Sequence, residues 1–218
     1  MIKIVVFDIG YGGELFADRL ETEFPTAEII RVISWRNAEK ITNHPLGTRK
    51  IIEEALCPYL GSVDLIVIAN YFISAFNLRY LRRKYKKQTF IGFTLRPSRI
   101  VAGKPLLILT ERPTTRSIAY FSLRRYTASK TVCLDDWPRL IDDGELTQEK
   151  FTNDLMVATK QLGDFTPKQV FLASGQFTEL MPQFREVFGH NTRMIDSFNE
   201  TINTVYKNLN IKNPKKQH

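Results

Sequence analysis

Short apolar runs alternate along the chain with longer stretches of helical period. Runs rich in β-forming residues lie at Ile2–Phe7, Ile29–Ile33, Leu65–Ala69, Phe90–Phe93, Leu106–Leu109 and Val170–Ala173. Between them, Ile52, Ala55, Leu56 and Tyr59 recur at the i, i+3, i+4, i+7 spacing of one helix face. Phe151, Leu155, Ala158 and Leu162 form a second stripe. Phe177, Leu180, Met181, Phe184 and Phe188 form a third, and Phe198, Ile202, Val205 and Leu209 a fourth. Ser197 with Glu200 three residues on reads as a capping box for the last helix. All-apolar strands joined by amphipathic helices predict an α/β fold with parallel sheets covered on both faces.

The pattern also repeats. IKIVVFDIGYGG is echoed by KPLLILTERPTT, and VDLIVIANYFISA by KQVFLASGQFTEL. Asp8 and Asn70 are 70 − 8 = 62 residues apart, and Glu111 and Ser174 are 174 − 111 = 63. This predicts two similar α/β units with a boundary near Arg96–Pro105, and it sets Asp8 and Glu111 as equivalents. Ligands of open α/β sheets bind beyond the carboxyl ends of the strands, where all four residues fall. Their convergence on one cleft between the units is the expectation.

Composition narrows this reading. The 218 residues suit one large or two small domains, and 43% apolar residues support a packed core. No apolar run reaches the roughly 18 residues of a membrane span. The opening MIKIVVFD lacks the regions of a signal peptide, so a cytoplasmic chain with no membrane association is expected. Two cysteines, Cys57 and Cys133, and three histidines, His44, His190 and His218, make no zinc-type spacing. The 31 basic and 23 acidic residues give a net charge of +8, which permits polyanion binding without demonstrating it. The closing NIKNPKKQH is polar and basic and reads as a frayed end.

The strand-end loops resemble those of the glutamate racemase family, in the aspartate/glutamate racemase superfamily. Phe7-Asp8-Ile9-Gly10-Tyr11-Gly12-Gly13 matches the family's FDSGxGG except at the serine, and Pro45-Leu46-Gly47 resembles its PYG loop. Val67–Ala75 lines up with ViACNTASA, and Thr110–Tyr120, including Thr114, with ATxxTvxSxxY. Cys133–Pro138 resembles CPxFVP, Leu172–Leu180 falls on LGCTHYPLL, and Ile195-Asp196-Ser197 is the closing IDS. The resemblance implies a first domain of residues 1–96 plus 195–218 and a second of 97–194. It implies a ligand cleft between them and no cofactor. It further implies ligand-binding positions at Asp8, Ile9, Gly47, Asn70, Tyr71, Phe72, Thr114, Ser174, Gly175 and Gln176.

The departures bear on activity. Family chemistry uses two thiolates, one on each face of the substrate α-carbon. Here those positions are Asn70 and Ser174. An amide is no base, and a lone serine hydroxyl is a poor one. Gln176 stands where the family has a histidine and cannot shuttle protons. Ile9, Tyr71, Phe72 and Gly175 replace small polar groups that grip an amino acid. Neither cysteine is placed to compensate, since Cys57 reads as helical and Cys133 falls in the CPxFVP-like loop. The expectation is a racemase-like scaffold without racemase activity, binding a small anionic ligand or a protein partner. A homodimer is open. The alternatives are an isomerase of altered substrate or mechanism, working through Asp8, Glu111 or Ser174, and a nucleic-acid-binding protein.

Four further features have a chemical and a structural reading. Asp8 and Glu111 are an acid/base pair, or a helix cap and a loop residue. Gly10, Gly12 and Gly13 form an anion-binding turn, or a turn needing no ligand. Leu78–Lys87, with Arg79, Arg82, Arg83, Lys84, Lys86 and Lys87 around Tyr80 and Tyr85, grips phosphates, or is a solvated helix end whose cations suit its dipole. Trp35 and Trp137 line a cleft, or are half-buried packing.

Overall fold

The computed structural model describes residues 1–43, 48–94, 100–111 and 127–212. The chain divides into two compact units, residues 1–94 with 197–218, and residues 95–196.

The first unit is built on β1 (Lys3–Asp8), β2 (Glu28–Ile33), β3 (Leu65–Ile68) and β4 (Phe90–Gly92), all parallel, in the order β2-β1-β3-β4. Its helices are α1 (Tyr11–Glu23), α2 (Ala38–Asn43), α3 (Arg49–Leu56), α4 (Tyr71–Lys84) and the distant α8 (Ser197–Asn208). Side chains alternate across a strand, so the central strands feed two cores. Val5, Phe7, Ile66 and Ile68 pack with Ile52, Leu56, Phe72 and Leu81 on one side. On the other, Phe16 of α1 meets Phe93 and Phe198 edge-on at 5.0 and 5.1 Å. Each such buried side chain contributes about 1.5–3 kcal/mol.

The second unit repeats the plan with β5 (Leu106–Thr110), β6 (Ser129–Cys133), β7 (Gln169–Leu172) and β8 (Arg193–Ile195), parallel and ordered β6-β5-β7-β8. Its helices are α5 (Trp137–Asp142), α6 (Gln148–Leu162) and α7 (Met181–Phe188). Trp137, fully buried, stacks on Phe184 at 6.0 Å and lies 5.1 Å from Phe151, tying the three helices to the sheet.

Several expectations need correction. β6 and β8 lie in segments read as neither strand nor helix. The stripe from Phe177 to Phe188 is two elements, a 3-10 turn at Gln176–Leu180 and then α7 with Pro182 in its first turn. Proline has no N–H to continue the ladder, so the helix begins anew there. The capping box does not form, because the buried Ser197 Oγ has no hydrogen-bond partner among the described residues. Trp137 is fully buried in the core and not half-buried, whereas Trp35, on a 3-10 turn, is 48% exposed. Among the described residues, no helix is long and apolar enough to cross a membrane.

Candidate functional site

The carboxyl ends of β1 and β3 bring Asp8 and Asn70 together. Asn70 caps α4, its Oδ1 accepting from the Ile73 N–H at 3.0 Å. The other end of the same amide, Nδ2, donates to Asp8 Oδ1 at 2.9 Å, and the Ile9 N–H donates to that oxygen at 2.6 Å. Asp8 is buried and does not cap α1. The cap position is Gly10, which receives no side-chain hydrogen bond. The glycine turn has a packing cause. A Cβ on Gly13 would stand 2.4 Å from Asp8 Cβ and 2.8 Å from Ile33 Cδ1, so only glycine lets α1 sit this close. Beyond the cap, Tyr71 packs against the Phe93 ring at 5.8 Å, while Ile9 and Phe72 belong to the hydrophobic core.

In the second unit β7 delivers Ser174, Gly175 and Gln176, all buried. Ser174 Oγ pairs with Gln176 Oε1 at 2.8 Å, the hydroxyl donating. Gln176 Nε2 donates in turn to Asp142 Oδ1 at 3.3 Å, at the end of α5. Sequence reasoning missed Asp142, since no short-range pattern links residues 34 positions apart.

Strand register fixes the equivalences. Phe7 pairs with Ile68 as Leu109 pairs with Leu172. The Ala69 N–H donates to the Phe7 carbonyl and the Ala173 N–H to the Leu109 carbonyl, each at 2.8 Å. Asn70 and Ser174 therefore occupy the same place. Asp8 corresponds to Thr110, not to Glu111, so the equivalence drawn from spacing is off by one residue. The true spacing in the second unit is 174 − 110 = 64, and near-equal spacings hid the offset. Counting from the last apolar strand residue, Phe7 or Leu109, would have found it. Thr110 is buried, and its Oγ1 donates to the Glu111 carbonyl at 3.0 Å.

Gly47 lies outside the described residues with its loop, as do Thr114 and 112–126. Both thiols are exposed. Cys57 starts a 3-10 turn before β3, whereas Asn70 follows that strand. Cys133 ends β6, two strands and about 10 Å from the Ser174 position.

The basic segment is the last two turns of α4 and the turn after it. Two of its cations serve the fold. Arg82 donates twice to the Phe90 carbonyl, at 2.7 and 2.9 Å. Lys84 pairs with Glu53, which also accepts from Tyr80 and Tyr85. Partial burial pushes the Glu53 carboxyl up, but the hydrogen bonds from Lys84, Tyr80 and Tyr85 outweigh it and hold it below the ordinary carboxylate value.

No protein-family model matches the chain, and no curated protein matches it by sequence. Solved structures do match. It aligns with glutamate racemase of Campylobacter jejuni at a TM-score of 0.80, with 21% identity over 100% of this chain and 89% of that one. Escherichia coli glutamate racemase, solved with L-glutamate and the activator UDP-MurNAc-Ala, gives a TM-score of 0.78, with 19% identity over 98% and 84%. The aspartate racemase of Picrophilus torridus gives 0.66, with 14% identity over 98% and 96%. The chain has a glutamate racemase-like fold.

Proposed function

We propose that the chain is a racemase-fold protein that does not racemise amino acids and works by binding. Racemisation needs one group to take a carbon-bound proton and another to return it. The observation carrying this reading is the engagement of the side chains at the two positions that the resemblance assigns to the thiols. Asn70 spends both ends of its amide on Asp8 and the α4 cap. The Ser174 hydroxyl is turned to an amide oxygen, which accepts a hydrogen bond but not the proton itself. The function left to the chain is to hold a small anionic ligand, as the resemblance implies, or a protein partner.

The test is isotopic. D- and L-glutamate and aspartate are incubated with the protein in deuterated water and followed by proton NMR. No loss of the α-proton signal is expected; exchange at any α-carbon overturns the reading. Asn70→Cys combined with Ser174→Cys is expected to leave the protein silent, because Tyr71 and Phe72 still stand where small polar groups are needed. Robust turnover in that variant would show that these positions still frame glutamate.

A further inference from the structure

One constellation within the second unit uses neither Asn70 nor Ser174. The carboxyl end of the edge strand β6, the turn after it and one face of α6 enclose a cavity of about 300 Å³. That is the lower end of the range for small-molecule sites. Val132, Leu134, Trp137 and Ala158 give it apolar walls. Val157, more than half exposed, stands among them.

The charged groups of the lining are mostly acidic. Among the described lining residues, Asp136 and Asp154 set two carboxylates against one ammonium, Lys150, a balance of 1 − 2 = −1 on a chain of net charge +8, while a third carboxylate, Asp135, is engaged by a further interaction. Asp154 is held in place through one oxygen. Its Oδ2 accepts from Trp137 Nε1 at 2.7 Å and from Lys150 Nζ at 2.8 Å. Its Oδ1 accepts no hydrogen bond among the described residues, and the exposed Asp136 carboxylate has no partner among them either. Partial burial pushes the Asp154 carboxyl up, but Lys150 and Trp137 outweigh it, so the group stays an anion at neutral pH. The same side chains do not form a metal cage, because no three His, Cys, Asp or Glu residues converge as ligands among the described residues. An apolar trough carrying an oriented, half-used carboxylate is complementary to an organic cation.

We propose that this cavity binds a small primary alkylammonium ligand, its ammonium on Asp154 Oδ1 and Asp136 and its apolar chain against Val157 and Leu134.

Calorimetry on the full chain tests this with 1,5-diaminopentane and with glutarate, its dianionic counterpart of equal length. The diamine is expected to bind and glutarate not to. Asp154→Asn and Asp136→Asn should each weaken the diamine about tenfold or more, the loss of one charge-assisted hydrogen bond. Lys150→Gln should tighten it, because Asp154 loses its competing ammonium. Asp136 is exposed and carries no packing, so its substitution reports on binding alone, and circular dichroism checks the other variants. No diamine binding at millimolar concentration, preference for glutarate, or equal affinity across the three variants would overturn the proposal.

Discussion

The two units place different side chains at two equivalent points of their separate sheets. In the first, Asp8 and Asn70 end adjacent strands and bind each other, and the amide also caps the helix that comes next. In the second, Thr110 and Ser174 hold those points but do not join. Thr110 turns back to the neighbouring carbonyl, and Ser174 reaches Gln176 and through it Asp142. The segments beyond these points differ too: buried Tyr71 and Phe72 on a 14-residue helix, against Gly175 and a 3-10 turn. One strand-end position has become part of the helix architecture. The other keeps a small hydroxyl on a short polar chain. Equal topology therefore does not mean equal freedom to change: replacing the side chain at position 70 removes a cap, while at 174 it removes one hydrogen bond.

The sharpest way to break this contrast is Phe72→Ala. A core aromatic should cost about 3–5 kcal/mol by urea unfolding. A loss under about 1 kcal/mol would put Phe72 on an open wall and make the two units alike. A smaller effect comes from comparing Asn70→Ala with Ser174→Ala. The first loses a cap and a bond to a buried carboxylate, about 2 kcal/mol, and the second a single buried hydrogen bond, about 1 kcal/mol. Equal costs would erase the distinction between architecture and local bonding. The smallest effect is in pH. Glu53 in the first unit and Asp154 in the second both have carboxyls held below their ordinary values of 4.5 and 3.8. A depressed carboxyl adds stability above its unfolded pKa and loses it as pH falls through the folded one. Glu53→Gln and Asp154→Asn should thus destabilise at pH 7, with penalties shrinking below pH 4.5 and 3.8 respectively. Glu53, with three donors, should show the larger change in thermal melts. Penalties that do not vary with pH would mean that neither carboxyl is linked to folding.

Central strands were legible because burial on both faces leaves an unbroken apolar run, as in Leu65–Ile68 and Leu106–Leu109. The edges were not. Ser129–Cys133 opens with three consecutive polar residues, and Arg193–Ile195 is only three residues long. Both owe their conformation to a neighbouring strand more than to their own composition. The candidate site divides similarly. Asn70 and Ser174 were identifiable because each directly succeeds an apolar strand. The Asp8–Asn70 clasp and the link from Gln176 to Asp142 are contacts across 62 and 34 positions, which no local pattern encodes. The pairing of Asp8 with Glu111 failed by a single residue, because residues beyond the last ladder pair carry no alternating signal to set their register.

The last helix returns to the first unit. Phe198 of α8 fills the space between Phe16 and Phe93, and Tyr206 lies against Phe24 with its hydroxyl reaching the Glu23 carbonyl. Synthesis runs from the amino end, so this half, begun first, is completed last. Until residues 197–208 have left the ribosome, its aromatic face stays uncovered and exposed to whatever binds apolar surface in the cell. A chain that stops anywhere in residues 95–196 lacks α8 and would leave it open in the same way.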